Sequence, residues 1–76
     1  MNEIKEIFES IGLNDIDENA TNLVSGGILD SMDIMSIATA IKKKYQKKLD
    51  ASYLEVENFE SFKAIENMIK KAYGDK

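Results

Sequence analysis

Apolar residues recur at helical spacing in several stretches of the chain. The first stretch follows the i, i+3, i+4, i+7 spacing of an amphipathic helix with Ile4, Ile7, Phe8 and Ile11. Asn2 stands where an N-cap is expected, and Gly12 follows the last apolar position. The pattern therefore predicts a first helix that Asn2 caps and Gly12 ends.

A second helix is predicted to begin within SGGILDSMDIM, residues 25–35. Asp30 is a good N-cap, Ser31 takes the first helical position, and Asp33 places negative charge where the helix dipole favours it. The stripe expected to face the core is Ile34, Ile37, Ala38, Ile41 and Tyr45. A different stripe, at the same end as Ser31, contains Met32, Met35 and Thr39.

The last third of the chain predicts one short helix and one long helix. Ser52 and Glu55 have the spacing of a capping box, which predicts a short third helix at this point. Ser61 is the expected N-cap of the last helix, and Gly74 is its expected end. The residues expected to face inward from this helix are Phe62, Ile65, Met68, Ile69 and Ala72.

Residues 13–29 are polar and turn-prone, and they close with Gly26 and Gly27. We expect this long loop to be anchored to the core by Leu23, Val24, Ile28 and Leu29. Together, these elements predict an all-α fold with one domain over residues 1–76. The expected architecture is a small four-helix bundle of three main helices and one short helix, with the long loop between the first two helices.

Composition excludes several kinds of site. The chain of 76 residues has no cysteine and no histidine, so a disulfide, a metal site with thiolate or histidine ligands, and a histidine-activated serine nucleophile are all excluded. No serine-x-x-lysine spacing replaces the missing base. No apolar run approaches the ~20 residues of a membrane span, and no signal peptide opens the chain. We expect a cytoplasmic monomer that is not an enzyme and has no metal site.

Charge is unevenly distributed along the chain, whose net charge is −4. Acidic residues dominate the first 33 positions and lysines dominate the rest, which argues against a nucleic-acid partner, because nucleic acid requires a broad basic face. A cluster of lysines stands near the expected end of the second helix: Lys42, Lys43, Lys44, Lys47 and Lys48. Two interpretations remain open for it: contact with phosphates, or the solvated C-terminal end of a helix.

The segment GGILDSMDIMSIATAIKKKY resembles the attachment segment of acyl and peptidyl carrier proteins. That pattern is a glycine-containing turn, an apolar residue, aspartate-serine-apolar, and an amphipathic helix. The resemblance covers essentially the whole chain, including its length, its long first loop, and ENFESFKAIENMI, which is similar to the end of the family's third helix and its last helix. It implies that Ser31 carries a 4′-phosphopantetheine arm, attached through a phosphodiester by a separate transferase.

The resemblance also implies partners and the residues that meet them. The partners are a phosphopantetheinyl transferase, an adenylating enzyme that loads an acyl or aminoacyl group, and downstream acyl-transfer enzymes. The residues expected to serve partner recognition are Asp30, Met32, Asp33, Met35 and Thr39. Asp30 is implied to help the transferase hold its magnesium ion. For the two methionines, adaptable partner contact and simple core packing remain alternatives.

The kind of carrier is indicated by where the chain departs from the family. Fatty-acid carriers of the acidic type place glutamates midway along the second helix, where this chain has Lys42, Lys43 and Lys44. GGILDS and ENFES look closer to discrete carriers that work with adenylating enzymes, including aminoacyl carriers. We therefore expect a specialised carrier outside the main fatty-acid cycle. The alternative is an unmodified helical module that binds a protein partner. A helix lying on a lipid surface is disfavoured, because the apolar stripe of the second helix is expected to pack in the core.

Overall fold

The computed structural model describes residues 2–74, which contain three α-helices and no strand. Helix α1 spans Asn2–Ser10, α2 spans Ser31–Tyr45, and α3 spans Phe62–Tyr73. Two short 3₁₀ turns, Ala51–Tyr53 and Val56–Phe59, lie between α2 and α3. The all-α class is confirmed. No helix among the described residues has the length and apolar character needed to cross a bilayer.

Helix α1 ends in a glycine-stabilised turn, as its sequence predicted. The backbone N–H of Gly12 donates to the Glu9 carbonyl at 3.1 Å, and that of Leu13 donates to the Phe8 carbonyl at 2.9 Å. This pair of bonds is a Schellman motif, and Gly12 has the positive φ of 86° that the motif requires. The predicted cap at the Asn2 side chain lies outside the described part of the structure.

The core is formed by the inward faces of the three helices and by the segments that join them. Phe8 and Phe62 pack with ring centroids 4.8 Å apart and planes tilted by 53°, which joins α1 to α3. Ile37 and Ile41 of α2 are fully buried, as the apolar stripe predicted. The buried residues in the described part of the chain are all apolar: Ile4, Ile7, Phe8, Leu23, Leu29, Ile37, Ile41, Leu49, Phe59, Phe62, Ile65, Met68 and Ile69. Burial of this apolar surface is the main source of stability in a chain without disulfides.

Two of the four residues predicted to anchor the long loop between α1 and α2 are buried in the core. Leu23 and Leu29 are buried, and the Leu29 N–H donates to the Leu23 carbonyl at 2.7 Å. Val24 is partly buried. The prediction for Ile28 is wrong, because 47% of its surface is exposed. The bond between Leu29 and Leu23 turns Leu29 inward, so its neighbour Ile28 projects to the surface.

The predicted short third helix is a pair of 3₁₀ turns, so the fourth α-helix is not found among residues 2–74. The capping box is wrong as well. The Asp50 carboxylate accepts from the Ser52 N–H at 2.9 Å, and the first turn therefore begins ahead of Ser52. Glu55 precedes the second turn and makes no side-chain cap. Asp50 prevails because an aspartate side chain readily closes a turn onto the N–H two residues ahead.

The ends of α3 confirm the sequence prediction. The Ala64 N–H donates to the Ser61 hydroxyl oxygen at 3.0 Å, so Ser61 is the N-cap, and Gly74 follows the last turn with φ of 88°. The rings of Tyr45 and Tyr73 stack at 5.0 Å and bring the C-terminal ends of α2 and α3 together. Of the five residues expected to face inward, four are buried and Ala72 is partly buried.

Candidate functional site

The first turn of α2 is held by a reciprocal pair of aspartates. Asp30 has an extended backbone, and its side chain accepts from the Asp33 N–H at 2.9 Å. The Asp33 side chain in turn accepts from the Asp30 N–H at 3.1 Å. The predicted N-cap at Asp30 is therefore confirmed. The sequence predicts only a favourable interaction of the Asp33 charge with the helix dipole, and the return bond to Asp33 is an additional finding.

This capping arrangement leaves Ser31 accessible, along with two backbone donors. The reciprocal bonds of the aspartates use the N–H groups of Asp30 and Asp33. The N–H groups of Ser31 and Met32, which lie between them, have no hydrogen-bond partner among residues 2–74. Both residues are exposed. Unpaired N–H groups and the positive end of the helix dipole suit the oxygens of a phosphodiester. The carboxylates of Asp30 and Asp33 oppose an anion here, so their contribution is to cap the helix.

Two adjacent glycines shape the turn before the site, each for its own reason. A Cβ on Gly26 would lie 2.6 Å from the Asn22 carbonyl oxygen, which itself accepts from the Gly26 N–H at 2.7 Å. Gly27 has open space around it but a φ of 81°, which L residues rarely adopt. The pair therefore permits a tight turn that leads through buried Leu29 to Asp30.

Glu60 binds the loop between α1 and α2 through both its side chain and its backbone carbonyl. One Glu60 carboxylate oxygen accepts from the N–H groups of Val24 at 2.9 Å and Ser25 at 3.0 Å, and the Glu60 carbonyl accepts from Leu23 at 2.9 Å. The bonds from Ser25 and Val24 hold the pKa of the Glu60 carboxyl below its usual value. This contact is not predicted by the sequence, because its partners are more than thirty residues apart and nothing in the segment ENFES indicates what Glu60 binds.

The two methionines near Ser31 lie on the surface. Met32 is 76% exposed and Met35 is 58% exposed, so the core-packing alternative is wrong for both. Thr39 is also exposed, and its hydroxyl donates to the Met35 carbonyl at 3.0 Å. Exposed methionine offers a flexible, polarisable surface that adapts to different partners.

A surface groove of about 580 Å³ runs between α1 and α2. It brings Met35 and Thr39 together with residues of α1 that sequence analysis did not connect to the site. Met32 and Ser31 do not line it. Its lining consists of Glu6, Ile7, Ser10, Ile11, Met35, Ser36, Thr39, Ala40, Lys43 and Lys44. No sequence signal identifies the groove, because periodicity shows which face of each helix is buried but not how the two helices cross.

The lysine cluster occupies the last turn of α2 and the residues after it, and all its members are exposed. Lys44 forms an ion pair with Glu6 at 3.2 Å and so links α2 to α1. Lys43 lines the groove, whereas Lys42 does not. Cations at a helix C-terminus also interact favourably with its dipole, which fits the interpretation of this cluster as a solvated helix end.

Comparison of the chain with models of protein families, with curated proteins and with solved structures finds no match in any of the three. The resemblance to carrier proteins accordingly depends on the residues of the chain itself. Of these, Ser31 with its flanking aspartates is the part that carries chemistry. Function is therefore inferred from this turn and its surroundings.

Proposed function

We propose that this protein is an acyl or aminoacyl carrier protein whose cargo is tethered through a 4′-phosphopantetheine arm on Ser31. The observation that carries the proposal is the state of Ser31: it stands in an Asp-Ser-Met sequence, is exposed, and is the first residue of α2. The proposal includes the family's four-helix arrangement, with the two 3₁₀ turns standing where the short third helix would be. It also includes a cytoplasmic location and a monomeric state.

The absence of histidine from the sequence is consistent with this function, because a separate enzyme activates the Ser31 hydroxyl. A bond forms between the Ser31 Oγ and the phosphorus that carries the pantetheine of coenzyme A. The pyrophosphate bond of coenzyme A breaks, adenosine bisphosphate leaves, and the hydroxyl proton passes to a base of the transferase. When attached, the arm supplies the thiol that this cysteine-free chain lacks and that holds cargo as a thioester.

The residues around Ser31 have distinct parts in the proposal. The N–H groups of Ser31 and Met32 are available to the phosphodiester oxygens. Asp30 and Asp33 hold the turn by reciprocal capping and present carboxylates to the transferase, where Asp30 helps to hold magnesium. The exposed side chains available for contact with the transferase and later partners are Met32, Met35 and Thr39.

A carrier of this kind works by effective concentration. Cargo on a flexible tether reaches successive enzyme sites without free diffusion between them. Its partners are the transferase, an adenylating loading enzyme and downstream acyl-transfer enzymes. Lys42, Lys43 and Lys44 make the exposed end of α2 basic, which disfavours docking to the basic patches that receive acidic fatty-acid carriers. This charge supports a discrete, specialised carrier outside the main fatty-acid cycle.

The test is intact mass after incubation with coenzyme A and a broad-specificity phosphopantetheinyl transferase. We expect the mass to increase by one phosphopantetheine and tandem mass spectrometry to locate it on Ser31. Ser31→Ala should abolish the gain, whereas Ser36→Ala should retain it, because Ser36 is an exposed serine on the same helix. Ser31→Ala should change the free energy of unfolding by no more than ~0.5 kcal/mol, as is usual for surface positions.

The competing function is an unmodified module that binds a protein partner through α1 and α2. The exposed Met32 and Met35 and the groove between the two helices favour it, since apolar surface of this kind is common in binding sites. It predicts an unchanged mass with two different transferases. That result would remove the carrier function and leave the binding module.

A further inference from the structure

Four residues of α2 stand at four-residue intervals that begin at the proposed attachment point: Ser31, Met35, Thr39 and Lys43. The last three line the groove between α1 and α2. At a rise of about 1.5 Å per residue, Lys43 lies about 18 Å along the helix from Ser31. The groove therefore begins one helical turn beyond Ser31 and extends to the lysine end of α2.

The walls of the groove are apolar and carry hydrogen-bond acceptors. Ile7, Ile11, Met35 and Ala40 supply the apolar surface. The Ser10 hydroxyl donates to the Ile7 carbonyl at 2.7 Å, and the Thr39 hydroxyl donates to the Met35 carbonyl at 3.0 Å. Because both hydroxyl protons are used, these oxygens offer lone pairs to the groove. Such a lining suits a ligand that has methyl or methylene groups and amide N–H donors.

The far end of the groove has a net positive charge. Three charged residues line it, and two of them, Glu6 and Lys44, neutralise each other in an ion pair at 3.2 Å. Lys43 forms no ion pair among residues 2–74. An anionic group at this end would gain the attraction of Lys43, whereas a cationic group would be repelled by it.

We infer that this groove is the resting place of the tethered arm, and that Lys43 favours an acyl cargo ending in a carboxylate over an aminoacyl cargo. The inference rests on the proposed function, because it requires a group attached at Ser31. From phosphorus to sulfur the arm has the backbone length of about four extended peptide residues, roughly 14 Å. The Ser31 side chain before the phosphorus and the acyl group beyond the sulfur span the remaining ~4 Å of the distance along α2, so the end of the cargo lies at the Lys43 end of the groove.

Two further concave surfaces among residues 2–74 lack this relation to Ser31. One is lined by Tyr45, Tyr73 and their neighbours at the C-terminal ends of α2 and α3. The other lies between the 3₁₀ turns and α3. Neither includes a residue of the stripe that begins at Ser31, whereas the groove between α1 and α2 includes three of them.

The test uses three acyl groups of similar length that differ in their terminal charge. The transferase loads ¹⁵N-labelled protein from malonyl-, propionyl- or β-alanyl-coenzyme A, and intact mass verifies each product. Amide chemical shifts are then compared with those of the protein before loading. We expect displaced signals for Ile7, Ser36 and Thr39, largest for malonyl and smallest for β-alanyl.

Two neighbouring lysines provide the matched variants. Lys43→Gln should lower the ratio of groove-bound to released malonyl group by about 1.4- to 5-fold, the equivalent of ~0.2–1 kcal/mol for one exposed ion pair. Lys42→Gln should leave the ratio unchanged, because Lys42 does not line the groove. A mass gain with no shift at Ile7, Ser36 and Thr39, or equal effects of the two variants, would overturn the inference alone. An unchanged mass would overturn the proposed function together with it.

Discussion

The two glycines before the site should each resist substitution for a different reason, which two sets of variants can separate. At Gly27 an added Cβ has open space, so Gly27→Ala is disfavoured only by the positive φ of 81°. A left-handed conformation costs an L residue ~1–2 kcal/mol, part of which is offset by the lower entropy of the unfolded variant. We expect a net loss of ~1 kcal/mol, which lowers the thermal midpoint of a domain of this size by about 4–8 °C.

At Gly26 the cause is steric. A Cβ at 2.6 Å from the Asn22 carbonyl oxygen must displace backbone, and that displacement breaks the hydrogen bond between the two residues. Gly26→Ala should therefore destabilise by ~1–3 kcal/mol, the range for overpacked positions. Removing the Asn22 side chain as well should give little relief, because the clash with the backbone oxygen remains.

Thermal unfolding followed by circular dichroism measures both effects, and asparagine distinguishes them. Asparagine tolerates positive φ better than alanine, so Gly27→Asn should be more stable than Gly27→Ala. No such rescue is expected for Gly26→Asn, because its Cβ meets the same oxygen. The explanation would be refuted if asparagine and alanine were equivalent at position 27, or if asparagine rescued position 26.

Four further predictions concern the core, a helix end, a loop contact and partner choice. Ile41→Ala should destabilise by ~2–5 kcal/mol because Ile41 is fully buried, and denaturant titration should show Lys42→Ala within ~0.5 kcal/mol of wild type. Gln46→Gly should raise the free energy of unfolding by ~0.5–1 kcal/mol, since Gln46 ends α2 with φ of 56°; an equal or lower midpoint would contradict this. Folding lowers the pKa of Glu60, so the ionised carboxylate stabilises the fold above the unfolded pKa of about 4.3, and this stabilisation is lost as pH falls through the folded pKa. Glu60→Gln should therefore remove part of the decrease in thermal midpoint that acid causes. Changing the three lysines at positions 42–44 to glutamate should speed loading by fatty-acid enzymes and slow the cognate loader at low salt, with a smaller difference at 1 M salt; equal rates at low salt would mean that this run is only a solvated face.

Local chemistry was predictable from the sequence. Asp30 and Ser61 cap helices through bonds to residues three positions ahead, and Gly12 ends α1 through bonds within one turn. Such contacts depend on residue type and short spacing, both of which a sequence displays. The apolar stripes through Ile37 and Ile41 were predictable for the same reason, since helical period relates each position to the next.

Competition between local signals was harder to predict. Ser52 and Glu55 have the spacing of a capping box, yet Asp50 closes the turn first and the segment becomes 3₁₀. Ile28 and Leu29 are adjacent and equally apolar, but only one side of the chain faces the core after the Gly27 turn. In both cases the competing choices have similar local energies, so the surrounding fold selects between them.

Contacts between distant segments were not predictable. Glu60 binds the N–H groups of Val24 and Ser25 across more than thirty residues. The groove arises from the way α1 crosses α2, and the apolar periodicity of each helix contains no information on that crossing. The sequence therefore indicated Ser31 as the proposed attachment residue and predicted its helix, while the groove beside that helix emerged only from the fold.

The charged residues at the two ends of α2 also affect the stability of the helix, independently of any docking contact. Asp30 and Asp33 stand at the N-terminal, positive end of the helix dipole, and the lysines at positions 42–44 stand at its C-terminal, negative end. Both groups therefore stabilise the helix. Reversing the lysines therefore weakens the helix end as well as any docking contact. Because Lys42→Gln and Lys43→Gln remove the same charge from the same turn, their shared effect measures helix stability. A difference between them isolates the groove, which only Lys43 lines.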